Sequence, residues 1–138
     1  MIVLDTNVVS EPMKPKREER VLEWLDKQAS ETLYLTTVSF AELLAGVAIL
    51  PDGKRKFGLQ SGLAALIGHI FGPRILAFDY TAAEQYSQIV ARMRKAGAGI
   101  SVADCQIASI ALAHGFVVAT RDAEPFRAAG VQVTNPWK

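Results

Sequence analysis

The stretch Ile2-Val3-Leu4-Asp5-Thr6-Asn7 decides the fold, because it joins an all-apolar run to an acid without a turn residue between them. Three consecutive branched apolar residues read as a strand buried on both faces, the pattern of a parallel sheet covered by helices. A second run of the same kind, Phe116 to Thr120, also ends on an acid, Asp122. Leu33 to Thr37 and Arg74 to Phe78 read as further strands, and Val131 to Thr134 as a short last one. Between them lie helical segments. Arg17 to Ala29 sets Val21, Leu22, Trp24 and Leu25 on one face, with Arg17, Glu18, Glu19 and Arg20 opposite. Phe40 to Leu50 stops at Pro51-Asp52-Gly53. Lys54 to Ile70 continues as helix, weakened by Gly58, Gly62 and Gly68 at about 1 kcal/mol each against Ala. Ala82 to Lys95 is amphipathic, and Val102 to His114 ends at Gly115, a left-handed cap.

Strands alternating with helices imply an α/β fold in three layers, α/β/α, around a mostly parallel sheet of four or five strands. The 138 residues fit a single domain, 1–138, without repeat, low-complexity segment or linker. Half the residues are apolar, which excludes disorder, and the net charge of +1 excludes a global attraction to nucleic acid. The lone Cys105 gives no disulfide framework and suits a reducing compartment. No apolar stretch is long enough to span a membrane, and the opening strand leaves no room for a signal peptide. These features predict a soluble cytoplasmic protein.

Ligands in such sheets bind beyond the carboxyl ends of the strands, where Asp5 and Asp122 sit. Glu42 in Ser39-Phe40-Ala41-Glu42 and Asp104 in Ser101-Val102-Ala103-Asp104 lie near predicted helix starts. If the fold gathers all four, they form an oxygen-only pocket that repels itself without a cation. Mg²⁺ or Mn²⁺ prefers such a donor set. A structural reading competes. Both Ser-x-x-acid patterns fit a capping box, and so does Thr81-x-x-Glu84. Spacing alone does not say which acids leave a cap to bind metal. Asp5 favours function, since a charge ending a buried apolar strand is costly unless paired or metal-bound.

Four motifs in order carry a family resemblance: Leu4-Asp5-Thr6-Asn7-Val8, Thr37-Val38-Ser39-Phe40-Ala41-Glu42-Leu43-Leu44-Ala45-Gly46, Ile100-Ser101-Val102-Ala103-Asp104-Cys105, and Ala119-Thr120-Arg121-Asp122. With the ending Val133-Thr134-Asn135-Pro136-Trp137, the chain resembles the PIN-domain toxins of VapC/FitB type from type II toxin–antitoxin systems. The resemblance leaves out Glu84. It implies a metal-dependent endoribonuclease, with Asp5, Glu42, Asp104 and Asp122 as its acids. Asp5 and Asp104 would hold Mg²⁺ or Mn²⁺, Glu42 would complete the shell or orient a water, and Asp122 would bind a second ion or ordered waters. FitB-like members commonly carry Asn at the position of Asp122, and many other PIN nucleases carry Asp. Thr6, Asn7, Ser39 and Thr120 would fix the carboxylates. Attack by water would leave a 5′-phosphate and a 3′-hydroxyl. A homodimer is implied, neutralised by a DNA-binding antitoxin of VapB/FitA type.

RNA needs cations near an acidic pocket. Lys14-Lys16-Arg17-Arg20, Lys54-Arg55-Lys56 and Arg92-Arg94-Lys95 are candidates, although such runs are usually solvated helix faces. Arg121 stands at the rim and could contact RNA or pair with a nearby acid. Two other enzyme classes lack their parts. A haloacid-dehalogenase phosphatase needs an Asp where Asn7 stands, and Gly97-Ala98-Gly99 comes late and lacks the third glycine of a dinucleotide loop. The non-enzymatic alternative is a PIN-like RNA-binding or regulatory subunit whose pocket is inactive or partner-occupied.

Overall fold

A computed structural model describes all 138 residues. Five parallel strands form one sheet in the order β3-β2-β1-β4-β5. They are β1 (Ile2–Leu4), β2 (Leu33–Thr36), β3 (Ile75–Leu76), β4 (Val117–Ala119) and β5 (Val133–Thr134). The seven α-helices are α1 (Thr6–Ser10), α2 (Glu19–Asp26), α3 (Thr37–Ala48), α4 (Lys54–Ala65), α5 (Tyr80–Lys95), α6 (Val102–His114) and α7 (Ala123–Ala128). The predicted α/β/α fold with a parallel sheet is therefore the one observed.

Strand alternation makes the layers. In β1, Val3 points into a cluster with Ile89, Met93, Ile107 and Phe126, from α5, α6 and α7. Its neighbour Leu4 points to the opposite face, among Val8, Val21, Leu43 and Leu63 from α1 to α4. Val118 and Ala119 of β4 divide in the same way. This two-faced burial explains why the strand sequences are apolar throughout.

The helix starts correct the sequence reading. Helix α3 begins at Thr37, not Phe40, because Thr36 is its cap: the Thr36 hydroxyl accepts the Ser39 N–H at 3.0 Å. Helix α5 begins at Tyr80, capped by Asp79, which accepts the Ala82 N–H at 3.0 Å. Ser39 and Thr81 are thus already helical, and neither Glu42 nor Glu84 belongs to a capping box. Only Ser101 is an N-cap as expected, accepting the Asp104 N–H at 3.1 Å, and α6 ends at Gly115 with φ +69°. Two short helices, α1 and α7, fall where the sequence predicts no element. Helix α2 is shorter than predicted (Glu19–Asp26), and the predicted helix to Ile70 gives way to a π-helical turn, Leu66–Phe71.

Candidate metal centre and its relatives

The chain leaves β1 toward β2 on one side of the sheet and later places β4 on the other. The carboxyl end of β1 is therefore the crevice of this sheet. Asp5 sits there, tied to β4 by its N–H donating to the Ala119 carbonyl at 2.9 Å. Its extended backbone makes it the N-cap of α1, so the carboxylate is aimed by the helix start.

Both oxygens of Asp5 are occupied from known directions. Oδ1 accepts the Thr6 N–H at 2.8 Å, and Oδ2 accepts the Thr120 hydroxyl at 2.7 Å. Thr120, fully buried at the end of β4, in turn accepts the Asp122 N–H at 3.0 Å. One hydroxyl thereby links two of the four acids. Thr6 links a third: its hydroxyl donates to Glu42 Oε1 at 2.7 Å and lies 3.0 Å from the buried Ser39 hydroxyl. Asn7 spans the other side. Its Nδ2 donates to Asp122 Oδ2 at 3.5 Å, and its Oδ1 accepts the Arg121 N–H at 3.4 Å. Thr6, Asn7, Ser39 and Thr120 all stand where they touch an acid or an acid's partner.

Asp5 is only 4 % exposed. Burial pushes its carboxyl from 3.8 up to about 6, against the pull of Thr120 and Thr6, and the charges of Asp104 and Glu42 push it the same way. Asp104 is half-buried and also raised, by burial first, against the pull of Ser101, with Glu42 and Asp122 pushing the same way as burial. These charges link Asp5 to Asp104 and Glu42, and Asp104 to Glu42 and Asp122, so the four acids lie within electrostatic reach of one another. The chain's three ion pairs, Lys14–Glu11, Lys56–Asp52 and Arg127–Glu124, include none of them. No ion pair offsets the charge at the carboxyl end of the sheet. No three His, Cys, Asp or Glu side chains stand close enough to ligate one ion directly. The donor set fits a hard cation that keeps several of its waters, as Mg²⁺ does.

The remaining sequence candidates fall as follows. Arg121 makes no ion pair; its guanidinium lies 5.4 Å from the centre of the Trp137 ring, and its carbonyl accepts Asn135 Nδ2 at 3.4 Å. The C-terminal tail is thereby fastened beside the fourth acid. Cys105 is buried in the core with its thiol pushed up by burial, so it is no nucleophile. Glu84 is exposed on α5. One residue went unread: Glu11, 3 % exposed, whose carboxyl is lowered chiefly by Lys14 at 2.9 Å, against burial, with a smaller contribution from Arg121. Its spacing of three from Lys14 is the only signal the sequence offered. A cleft of about 560 Å³ between α3 and α4 is lined by Phe40, Leu44, Leu63 and Ile67. It holds no titratable group and none of the four acids.

Acids at the crevice of a five-stranded parallel sheet define a class, and the comparison agrees: the chain belongs to the PIN domain family, whose model matches residues 2–131. Its relatives narrow the group. It is 47% identical over 137 residues to "Toxin FitB" of Neisseria gonorrhoeae, covering 99% of both chains. It is 46% identical over 138 residues to "VapC ribonuclease Y4jK" of Sinorhizobium fredii, and 50% identical over 138 residues to "Plasmid stability protein StbB" of Pseudomonas syringae pv. tomato, each covering 100% of this chain and 99% of the relative. Among solved structures, that of FitAB bound to an IR36 DNA fragment contains a chain with TM-score 0.96 and 45% identity, covering 100% of this chain and 96% of that one. No helix of the chain is long and apolar enough to cross a membrane.

Proposed function

We propose that this chain is a Mg²⁺- or Mn²⁺-dependent endoribonuclease and the toxin of a type II toxin–antitoxin module. The observation that carries the proposal is the cluster itself. Four separate segments bring Asp5, Glu42, Asp104 and Asp122 into one neighbourhood, where burial and repulsion raise Asp5 to about 6 without a protein cation to relieve it. A fold keeps so unfavourable an arrangement when a ligand compensates it. The ribonuclease among the relatives supports RNA as the substrate.

Asp5 and Asp104 would hold the ion, with Glu42 and Asp122 reaching it through water. A bound divalent ion supplies an acidified water and stabilises charge on the phosphoryl oxygens. The protein's own residues supply orientation. Thr6 N–H and Thr120 Oγ1 fix the plane of the Asp5 carboxylate, Thr6 Oγ1 fixes Glu42, and Asn7 fixes Asp122. Arg121 stands at the rim, free of any ion pair, to meet substrate phosphate. Hydrolysis would leave a 5′-phosphate and a 3′-hydroxyl.

The FitAB structure bound to DNA supports a DNA-binding antitoxin of the VapB/FitA kind as partner, and we read the working unit as a homodimer. We place the action in the cytoplasm, and read residues 1–138 as one PIN unit. The test is expression of the chain with and without its partner. Expression alone should arrest growth and produce new 5′-phosphate RNA ends, and Asp5→Asn should abolish both. Equal harmlessness of wild type and variant at equal expression would refute the toxin reading.

A further inference from the structure

Beside the acidic centre lies a second cleft, about 270 Å³, that shares Thr6 and Glu42 with it. Leu43 and Leu59 give it an apolar floor, and Lys14 and Arg55 line it with two cations. The two cations differ in how they are held. Lys14 is held at 2.9 Å by Glu11, a carboxylate buried to 3 % exposure whose Oε1 accepts the Glu18 N–H at 3.3 Å. Keeping a carboxylate buried is costly, and this one fixes where the ammonium stands. Arg55 is exposed and forms no ion pair, whereas Lys56 beside it is engaged by Asp52 and by the Ala48 carbonyl. Arg55 therefore brings a full positive charge to a cleft whose other wall carries the acid Glu42.

We propose that this cleft is the subsite for the nucleotide flanking the scissile phosphate, its base against the leucine floor and its phosphate on Arg55, with Lys14 beside it. The inference rests on the ribonuclease reading and names where the substrate strand runs away from the metal centre. A nucleotide carries a flat base and an anion, and the cleft offers an apolar floor to one and a cation to the other. Arg55 forms no ion pair with the acids, so it can attract the strand without neutralising them.

The test is steady-state cleavage of a short RNA by the full chain with Mn²⁺, comparing wild type, Arg55→Ala, Lys14→Ala and a control at the exposed Lys27, Lys27→Ala. Arg55→Ala should raise KM about tenfold with kcat within about twofold, and reduce the salt slope of log(kcat/KM) by about one, the loss of one phosphate contact. Lys14→Ala should act in the same direction, and Lys27→Ala should do neither. Unchanged KM and slope in Arg55→Ala, or an equal effect from Lys27→Ala, would overturn the subsite. So would a loss of antitoxin affinity in Arg55→Ala with RNA KM unchanged, which would make the cleft a peptide site. A wild type that cleaves no RNA would instead sink the ribonuclease reading. In that event RNA binding to Asp5→Asn and to Asp5→Asn/Arg55→Ala, followed by anisotropy, still decides the cleft: equal or absent binding overturns it.

Discussion

Replacing Asp5 by Asn should make the metal-free protein more stable, and the gain should depend on pH in a way that identifies its cause. The folded chain holds the Asp5 proton up to about pH 6, the unfolded chain only to 3.8. Because the folded state binds the proton more tightly, this group leaves stability untouched below 3.8. It removes stability as pH rises from there through 6. At 1.36 kcal/mol per pKa unit, the penalty is about 3 kcal/mol at pH 8, about 1.6 at pH 5 and about 0.4 at pH 3.8. Asparagine avoids it but introduces a smaller loss. Its amide would donate to Thr120 Oγ1, which already accepts the Asp122 N–H, and would leave the buried Thr120 hydroxyl proton without an acceptor. That omission costs about 1 kcal/mol. The balance is a gain of about 2 kcal/mol at pH 8, under 1 at pH 5 and none at pH 4. With about 2.1 cal/mol/K of unfolding entropy per residue, the pH 8 gain raises Tm by about 7 °C. Thermal melts in EDTA at several pH values read this directly. A variant that melts below wild type at pH 8, or by the same difference at every pH, would refute the assignment of buried repulsion to Asp5.

Three further outcomes follow from the same geometry. Asp104→Asn should lower the cleavage rate by at least about 100-fold, worth about 2.7 kcal/mol in barrier, while changing Tm little, because Ser101 still caps the Asp104 N–H and the weakened side-chain contact with Ser101 is offset by relief from burial and from the charges of Glu42 and Asp122; equal rates for Asp104→Asn and the exposed Glu84→Gln would return Asp104 to a structural role. Thr120→Val should destabilise the chain by roughly 1–3 kcal/mol, since it strips a partner from the Asp5 carboxylate and from the Asp122 N–H, and it should move the pH at which Mn²⁺ binding is half-developed upward, because the lost hydrogen bond had favoured the charged form of Asp5; an unmoved pH dependence in a titration followed by calorimetry would count against the link. Thr6→Val should release Glu42 and lower kcat more than it changes Mn²⁺ affinity, and a pure loss of metal affinity would show that Glu42 ligates the ion directly.

The strands and the acids at their ends were legible because burial on both faces of a parallel sheet forces an apolar run to stop abruptly at a charge, as at Leu4-Asp5. Helix α6 was legible at both ends, since Ser101 and Gly115 are caps of opposite kind around an apolar segment. Helix α3 was misread at its start for a physical reason. Two residues able to cap, Thr36 and Ser39, stand three apart, and only tertiary burial of Ser39 beneath Thr6 decides between them. Once Thr36 is the cap, Glu42 lies in the second helical turn, where no capping partner reaches it and Thr6 does. The same shift removes Glu84 from its supposed box. Helices α1 and α7 are five and six residues long, too short for periodicity to mark. Glu11 escaped notice because a buried glutamate looks, in one dimension, like any surface acid. The tail's hold on Arg121 through Asn135 and Trp137 joins residues distant in sequence and has no local pattern at all.

The most direct test of the metal centre is RNA cleavage by the purified, partner-free chain at neutral pH. With Mg²⁺ or Mn²⁺ it should generate fragments with 5′-phosphate and 3′-hydroxyl ends, EDTA should stop it, and readded Mn²⁺ should restore it in wild type but not in Asp5→Asn. Cleavage that survives EDTA, or that Asp5→Asn retains at the wild-type rate, would contradict a metal-dependent site built on these four acids.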